Sequence, residues 1–311
     1  GKDVSFTLSV DGHEIGQLGQ VVTHLSARQK SEAPTKASPL VRQRAARSET
    51  AKDGSHAVLI LPDAHFPYQD SAAMLVVEQA ASLIRPRRVV ILGDWLDCAG
   101  FSSHPVKSEA EAAVHEYEDE LDGCEAQIDR IYKLTGAEEI VFVEGNHEQR
   151  VERECRRLGS LGAAIHSMIS PSRVLSRGRP WLKWIPYVPM GGGLQHYAIA
   201  HDLWAIHGWS IAKHAAAKHL ELARTVSIVH GHTHRQQAAS TRLLDSGRVV
   251  KAWSPGCLST PQPAWHHSSP TDWVQGLSVV FCSDDRRSWT DYTVSIENGH
   301  AVLPGGSTVR A

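Results

Sequence analysis

Five short apolar runs, each leading into a cluster of carboxylate, carboxamide or imidazole side chains, constrain this chain more than any other feature. Residues 58–61 lead into Asp63-Ala64-His65, residues 89–92 into Gly93-Asp94-Trp95-Leu96-Asp97, and residues 140–143 into Gly145-Asn146-His147-Glu148. Residues 203–206 end at His207-Gly208, and residues 226–229 precede Gly231-His232-Thr233-His234. Continuous apolar runs of this length predict strands buried on both faces. Segments of helical periodicity, 72–84, 109–134 (with a break expected near Gly123) and 148–158, alternate with the first three. That order predicts an α/β layered domain. In an α/β sheet the loops at the carboxyl ends of the strands converge on one crevice, so the five blocks are expected to meet at one edge.

The blocks carry one kind of chemistry. Asp63, His65, Asp94, Asp97, Asn146, His147, His207, His232 and His234 offer only oxygen or imidazole nitrogen, and no cysteine takes part. Such donors suit Mn, Fe, Zn or Ni better than a thiolate-loving metal. They suffice for two divalent ions, an arrangement that activates water against phosphorus esters. Asp63 and His65 are two apart, as are His232 and His234, so extended backbone would direct each pair to one side. Asp94 and Asp97 are three apart in a loop, so one can hold metal while the other supports a neighbour. Gly93, Gly145, Gly208 and Gly231 adjoin these residues, where the backbone must turn tightly or come close.

Composition permits this reading. The 311 residues are 41% hydrophobic, enough for a substantial core, and the net charge of −2 demands neither a nucleic-acid nor a membrane partner. Five scattered cysteines without a C-x-x-C are expected of reduced thiols in a cytoplasmic protein. No run of about 18 apolar residues predicts a transmembrane helix, and no signal-peptide pattern is visible.

Residues 1–54 differ from 55–311. Residues 4–10 alternate like a strand, and Asp11-Gly12 signals a hairpin turn. Residues 28–55 have a linker's composition, made basic by Arg28, Lys30, Lys36, Arg42, Arg44 and Arg47. A solvated connector is the first reading and a nucleic-acid-binding arm the second. Past the third block, residues 195–200 and 203–206 predict a hairpin about His201-Asp202, residues 211–223 a helix, and 240–244, 249–254, 277–282 and 290–296 further strands.

In the order and wording of its blocks, from about residue 57 to 295, the chain resembles the calcineurin-like metallophosphoesterase superfamily, most of all its phage-type and mobile-element branch. The resemblance implies a four-layer α/β/β/α sandwich of two packed mixed sheets. It implies one metal on Asp63, His65, Asp94 and His234, a second on Asp94, Asn146, His207 and His232, and in-line attack on phosphorus by a hydroxide between them. His147 would protonate the leaving oxygen, and Asp97 would orient His147. Departures narrow the branch. Cys98-Ala99 stands where protein Ser/Thr phosphatases have Arg-Gly, and Asp97 where purple acid phosphatases have Tyr. His65 stands where RNA debranching relatives have Cys, and Glu148 where break-repair nucleases have Asp. Phosphodiesters are thus the expected substrates, with phosphomonoesters beside them. A DNA or RNA nuclease and, behind it, a catalytically silent protein-binding scaffold are the alternatives.

Other residues carry weaker expectations. Arg150, Arg153 and Arg157 interleave with Glu148, Glu152 and Glu154, which predicts a salt-bridged solvent face, with phosphate contact as the alternative. Tyr68, Trp95 and Trp209 are candidate apolar walls for a substrate's organic group. His214 and His219 are expected at the surface, His201 in a turn, and His230 packed beside the last block. The loop with Trp265, His266, His267, Ser268, Pro270 and Trp273 reads equally as pocket wall or packing. Nothing marks Cys98 as a nucleophile.

Overall fold

The computed structural model describes residues 7–10, 13–17, 54–102, 117–188, 194–263 and 270–311. The Asp11-Gly12 turn, the basic stretch up to Arg47, residues 109–116 and Trp265 to Ser268 lie outside the described residues. The chain divides into two compact units, Gly1–Ala46 and Arg47–Ala311. In the first, β1 (Thr7–Val10) pairs antiparallel with β2 (His13–Gln17).

The second unit opens with β3 (Ser55–Leu61), α1 (Ser71–Ile84), β4 (Arg88–Ile91), α2 (Tyr117–Thr135), β5 (Glu139–Val143) and α3 (Glu148–Arg157). Next come α4 (Ser160–Ile169), α5 (Pro171–Leu175), β6 (Leu182–Ile185), β7 (Tyr197–Ala200), β8 (Leu203–Ile206), α6 (Ala215–Ala223) and β9 (Ser227–His230). It closes with β10 (Gln236–Arg242), β11 (Val249–Pro255), β12 (Gly276–Ser283), β13 (Trp289–Ser295), β14 (His300–Val302) and β15 (Thr308–Arg310).

Two mixed sheets result. One has the order β13-β12-β3-β4-β5-β6, in which β3 to β6 are parallel and β12 and β13 antiparallel. The other has the order β10-β11-β9-β8-β7, with β11, β9 and β8 parallel. The period-2 alternation of a strand explains the layering. Val58, Ile60, Val90, Leu92, Val141 and Val143 meet Ile199, Leu203, Ala205, Val229 and Trp253 of the second sheet in one buried cluster. The intervening Leu59, Leu61, Val89, Ile91, Ile140 and Phe142 turn the other way and pack with Val76, Val77, Ala80, Cys124, Ile128 and Ile131 of α1 and α2. Ile206, Ile228, Val250 and Ala252 cover α6 through Ala216 and Leu220. These are the four expected layers, α/β/β/α.

Local departures have local causes. Helix α2 runs unbroken through Gly123, where a Cβ would come 3.2 Å from the Phe66 ring. The strand expected at 240–244 is β10, two residues beyond β9's last block and half exposed along its length, so no apolar run announces it. The helix expected from 211 begins at Ala215. Elements α4, α5 and β6 had no sequence signal: α4 buries only Gly162 and leaves Leu161 and Met168 exposed. The β14–β15 hairpin, packed on α1, was equally silent.

Candidate metal centre

All five blocks leave the carboxyl ends of parallel strands, β3, β4 and β5 in one sheet and β8 and β9 in the other. The backbone there is not extended. His65, Asp94, His232 and His234 adopt φ of 53°, 49°, 70° and 57°, the left-handed region. The same-side argument from two-residue spacing is therefore corrected: each chain folds back through a left-handed residue to aim its side chain inward. Such conformations cost on the order of 1–3 kcal/mol each for non-glycine residues and persist where surrounding structure imposes them.

The side chains converge. His207 Nε2 lies 3.2 Å from Asp94 Oδ2, 2.9 Å from Asn146 Oδ1 and 3.2 Å from His232 Nδ1. His65 Nε2 lies 3.1 Å from His234 Nε2 and 4.0 Å from Asp94 Oδ2. Asp63 is fully buried and accepts the His232 N–H at 2.6 and 2.9 Å. His65, Asp94 and His147 also come within common reach of one ion, as do Asp94, His207 and His232. His147 thus sits at ligand distance, although the sequence reading gave it another role.

Burial and mutual proximity shift the ionisation of these side chains. Burial pushes the Asp63 carboxyl up to about 8, with Asp94 adding to the rise. Burial lowers His207, but the Asp94 carboxylate outweighs it and takes the imidazole to about 9. Burial and His207 together push His232 down to about 3. Burial and His65 hold His234 well below the ordinary imidazole value, and its Nδ1 has no hydrogen-bond partner among the described residues. Imidazole nitrogens that close avoid repulsion only where a proton or a cation sits between them. Hard and borderline donors of this type fit a first-row divalent ion.

A second layer holds the donors in place. Asp97 Oδ1 lies 2.9 Å from His65 Nδ1 and 3.2 Å from His147 Nδ1, and the Asp97 carbonyl accepts from His147 Nδ1 at 2.8 Å. Burial would raise the Asp97 carboxyl, but the two imidazoles keep it well below the usual range. Arg150 is corrected from the solvent face to the site: it donates to the Asp97 carbonyl and to His147 Nε2, both at 2.9 Å. Arg157 does pair with Glu154 on the exposed side. Glu148 is also corrected. It is fully buried on the face of α3 shared with Val151 and Cys155, and it clamps the Asp94 loop. Its Oε1 accepts the N–H groups of Trp95 and Leu96, and its Oε2 those of Asp94 and Gly145, at 2.8–3.0 Å. Gly145 has no room for a side chain, since a Cβ would fall 2.1 Å from Asp94 Oδ1.

Glu148→Gln should therefore cost about 3 kcal/mol, because an NH2 group would face two buried N–H donors. Differential scanning calorimetry should show Tm falling by roughly 10 °C. An unchanged Tm would mean that the clamp carries no strain-holding role.

Above the cluster lies a cavity of about 160 Å³ lined by His65, Asp94, Asn146, His147, His232 and His234 below and by Tyr68, Ser259, Thr260, Pro263 and Trp273 above. Trp273 meets the His234 ring edge-on at 4.1 Å. Ser259 and Thr260 went unread in the sequence because no spacing or composition marks them; a loop across the sheet brings them in. The buried Ser259 Oγ has no hydrogen-bond partner among the described residues.

No protein-family model matches the sequence, and no curated protein matches it. In fold it is similar to Vacuolar Protein Sorting 29 from Cryptosporidium parvum, 13% identical, with a TM-score of 0.41 over 83% of this chain and 100% of that one. It is also similar to YfcE, a phosphoesterase from E. coli, at 13% identity and a TM-score of 0.32, over 76% of this chain and 98% of the other. The nuclease MPE of Pseudomonas putida is 11% identical, with a TM-score of 0.28 over 74% and 85%. At such values these are likenesses of fold, and the side-chain geometry carries the chemistry.

The remaining expected site residues divide. Tyr68 lines the cavity. Trp95 is corrected: it is fully buried, donates its indole N–H to the Pro62 carbonyl, packs near Phe66 and cannot meet a substrate. His219 is corrected from surface to core, where it accepts the Trp209 N–H at Nε2 and its ring lies tilted against His230 at 4.1 Å. His214 is exposed as expected. Cys98 is buried, and burial pushes its thiol well up, away from nucleophilic character. All five cysteines are free. No helix among the described residues is long and apolar enough to cross a membrane.

Proposed function

We propose that residues 55–311 form a dinuclear metal-dependent phosphoesterase acting on phosphodiesters and, beside them, phosphomonoesters. Asp63, His65, Asp94 and His234 would hold one divalent ion and Asp94, Asn146, His207 and His232 the other, with Asp94 common to both. The observation that carries this reading is the gathering of Asp94, Asn146 and His232 within 3.2 Å of His207 Nε2. Mn, Fe, Zn or Ni bound there would supply Lewis acidity and lower the pKa of water.

The chain's own residues supply orientation and protons. Burial lowers the His147 pKa, but Asp94 and Asp97 reverse the shift, so the imidazole is disposed to hold a proton. Its Nε2 faces the cavity side with Arg150, which can pass from His147 to a substrate's phosphoryl oxygen. Asp97 fixes the other ring nitrogen and so the direction of proton delivery. Tyr68 and Trp273 offer apolar surface to the ester's organic group.

A panel of nitrophenyl monoester, nitrophenyl diester, cyclic nucleotide and oligonucleotide, each assayed with Mn²⁺ and with chelator, tests this. Diester turnover should appear with Mn²⁺ and vanish with chelator. The same metal should raise Tm, by about 2.7 kcal/mol of added stability at a hundredfold excess over its Kd. A chain that neither binds metal nor turns over any ester would be a scaffold, and the reading would fail. The depth at which the ligand set is buried argues against that outcome, since uncompensated buried charges are costly.

A further inference from the structure

We propose that the cleft beside the metal centre, between α3, α5 and the ends of β5 and β6, is a subsite for a flanking nucleotide of a single-stranded nucleic acid. It rests on the phosphodiesterase reading above and names that site's substrate class. The cleft has a volume of about 620 Å³, and its lining includes Arg156, Arg173, Arg177, Trp184 and Tyr187.

Three observations give the cleft its chemistry. First, its cations are available. Arg156 and Arg173 are exposed and make no hydrogen bond or ion pair among the described residues, and Arg177 donates only to the Ser167 carbonyl at 3.1 Å. Secondly, its carboxylates are spoken for. Glu152 holds His166 at 2.7 Å and Ser170, while Glu144 accepts from the Trp184 indole at 3.2 Å and the Tyr187 N–H at 2.8 Å. Three guanidiniums therefore face two carboxylates, Glu144 and Glu152, along the lining, which leaves cationic charge in excess. Thirdly, it adjoins the metal centre: Glu144 and Gln149, which line it, bracket Asn146 and His147 in sequence.

Guanidiniums able to take a phosphate, next to aromatic rings able to stack a base, are the paired elements of single-strand recognition. The small cavity over the metals, about 160 Å³, has room for little beyond the scissile group. The next nucleotide of a strand must lie outside it, and this cleft is the cationic surface at hand. An acidic peptide would use the guanidiniums but not the aromatic wall, in which Trp184 stacks on Phe142 at 4.3 Å.

The test is the double variant Arg156→Gln/Arg173→Gln in the full chain. Both side chains are exposed, so folding should be intact, as Tm would verify. Binding of a labelled, phosphorothioate-linked single strand to the Mn²⁺-loaded protein is read by fluorescence anisotropy across a salt series. The double variant should weaken binding about ten-fold and flatten the log–log salt slope by about 1.4, the value for two lost phosphate contacts on a single strand. Its turnover of a small nitrophenyl diester should equal the parent's. Equal affinity and slope in parent and variant, no binding by the parent, or displacement of the strand more readily by polyglutamate than by unlabelled strand would each overturn the subsite. Absence of Mn²⁺-dependent diester turnover in the parent would instead overturn the phosphodiesterase reading, because strand binding is read without turnover.

Discussion

Asp94→Ala should reduce the bound metal from two ions to fewer than one per chain and cut diester turnover by roughly 10³-fold or more. Asp94 is the hub of the cluster. Its Oδ2 lies 3.2 Å from His207, 3.9 Å from His147 and 4.0 Å from His65, and its Oδ1 accepts the His147 N–H at 2.9 Å. Burial opposes its negative charge, yet the three imidazoles keep the carboxyl well below the usual range, so it is ionised and ready to serve two cations. Losing the shared ligand removes a Lewis-acid contribution of several kcal/mol, and about 4 kcal/mol corresponds to a thousandfold in rate. Metal analysis of the desalted protein, diester assay and the Mn²⁺-induced Tm shift give three readouts. A variant that keeps both ions and parental turnover would sink the ligand assignment.

His147→Ala should keep the metal and lose about 10²–10⁴-fold in kcat on a diester with an alkoxide leaving group. The loss should be much smaller with nitrophenolate, which departs without a proton. The pH profile carries the second signature. Asp94 and Asp97 raise the His147 pKa against the lowering effect of burial. The ring is protonated, and able to donate, below that raised value, so kcat should fall as pH rises through it. Bound cations repel the imidazolium and move that fall to lower pH. The alanine variant should lack this alkaline fall. Parental rates on the alkoxide ester, or an unchanged alkaline limb, would show that His147 is not the acid.

The sandwich was legible because its code is short-range. Four-residue apolar runs such as Val58 to Leu61 or Val89 to Leu92 have few places to go except between two layers, and each predicted β3, β4, β5, β8 or β9 to within three residues. Elements without an apolar period, such as α4 and the half-exposed β10, left no such trace. At the site the donors were legible as chemistry, since Asp, Asn and His after strand ends stand out. Their neighbours were not. Arg150 and Glu148 lie in one charged helical turn, and charge pattern alone assigns both to solvent. Tertiary packing sends Glu148 inward beneath four N–H groups and folds Arg150 over His147. Trp95 and His219 both proved buried: nearness in sequence to a ligand does not say which side of a loop faces the cavity, and a charged helix does not say which of its residues face the sheet.

The sequence by itself determined the α/β class, the edge where the blocks meet and the kind of atom they present, because strand period and donor type are properties of single residues and their near neighbours; the four-layer order was implied by the resemblance. Only the tertiary structure decided how those atoms converge. The left-handed turns at His65, Asp94, His232 and His234, the Glu148 clamp and the arginine-lined cleft beside Asn146 depend on contacts between strands and helices far apart in the chain. No local pattern encodes them, because their cost or gain appears only once the two sheets have packed.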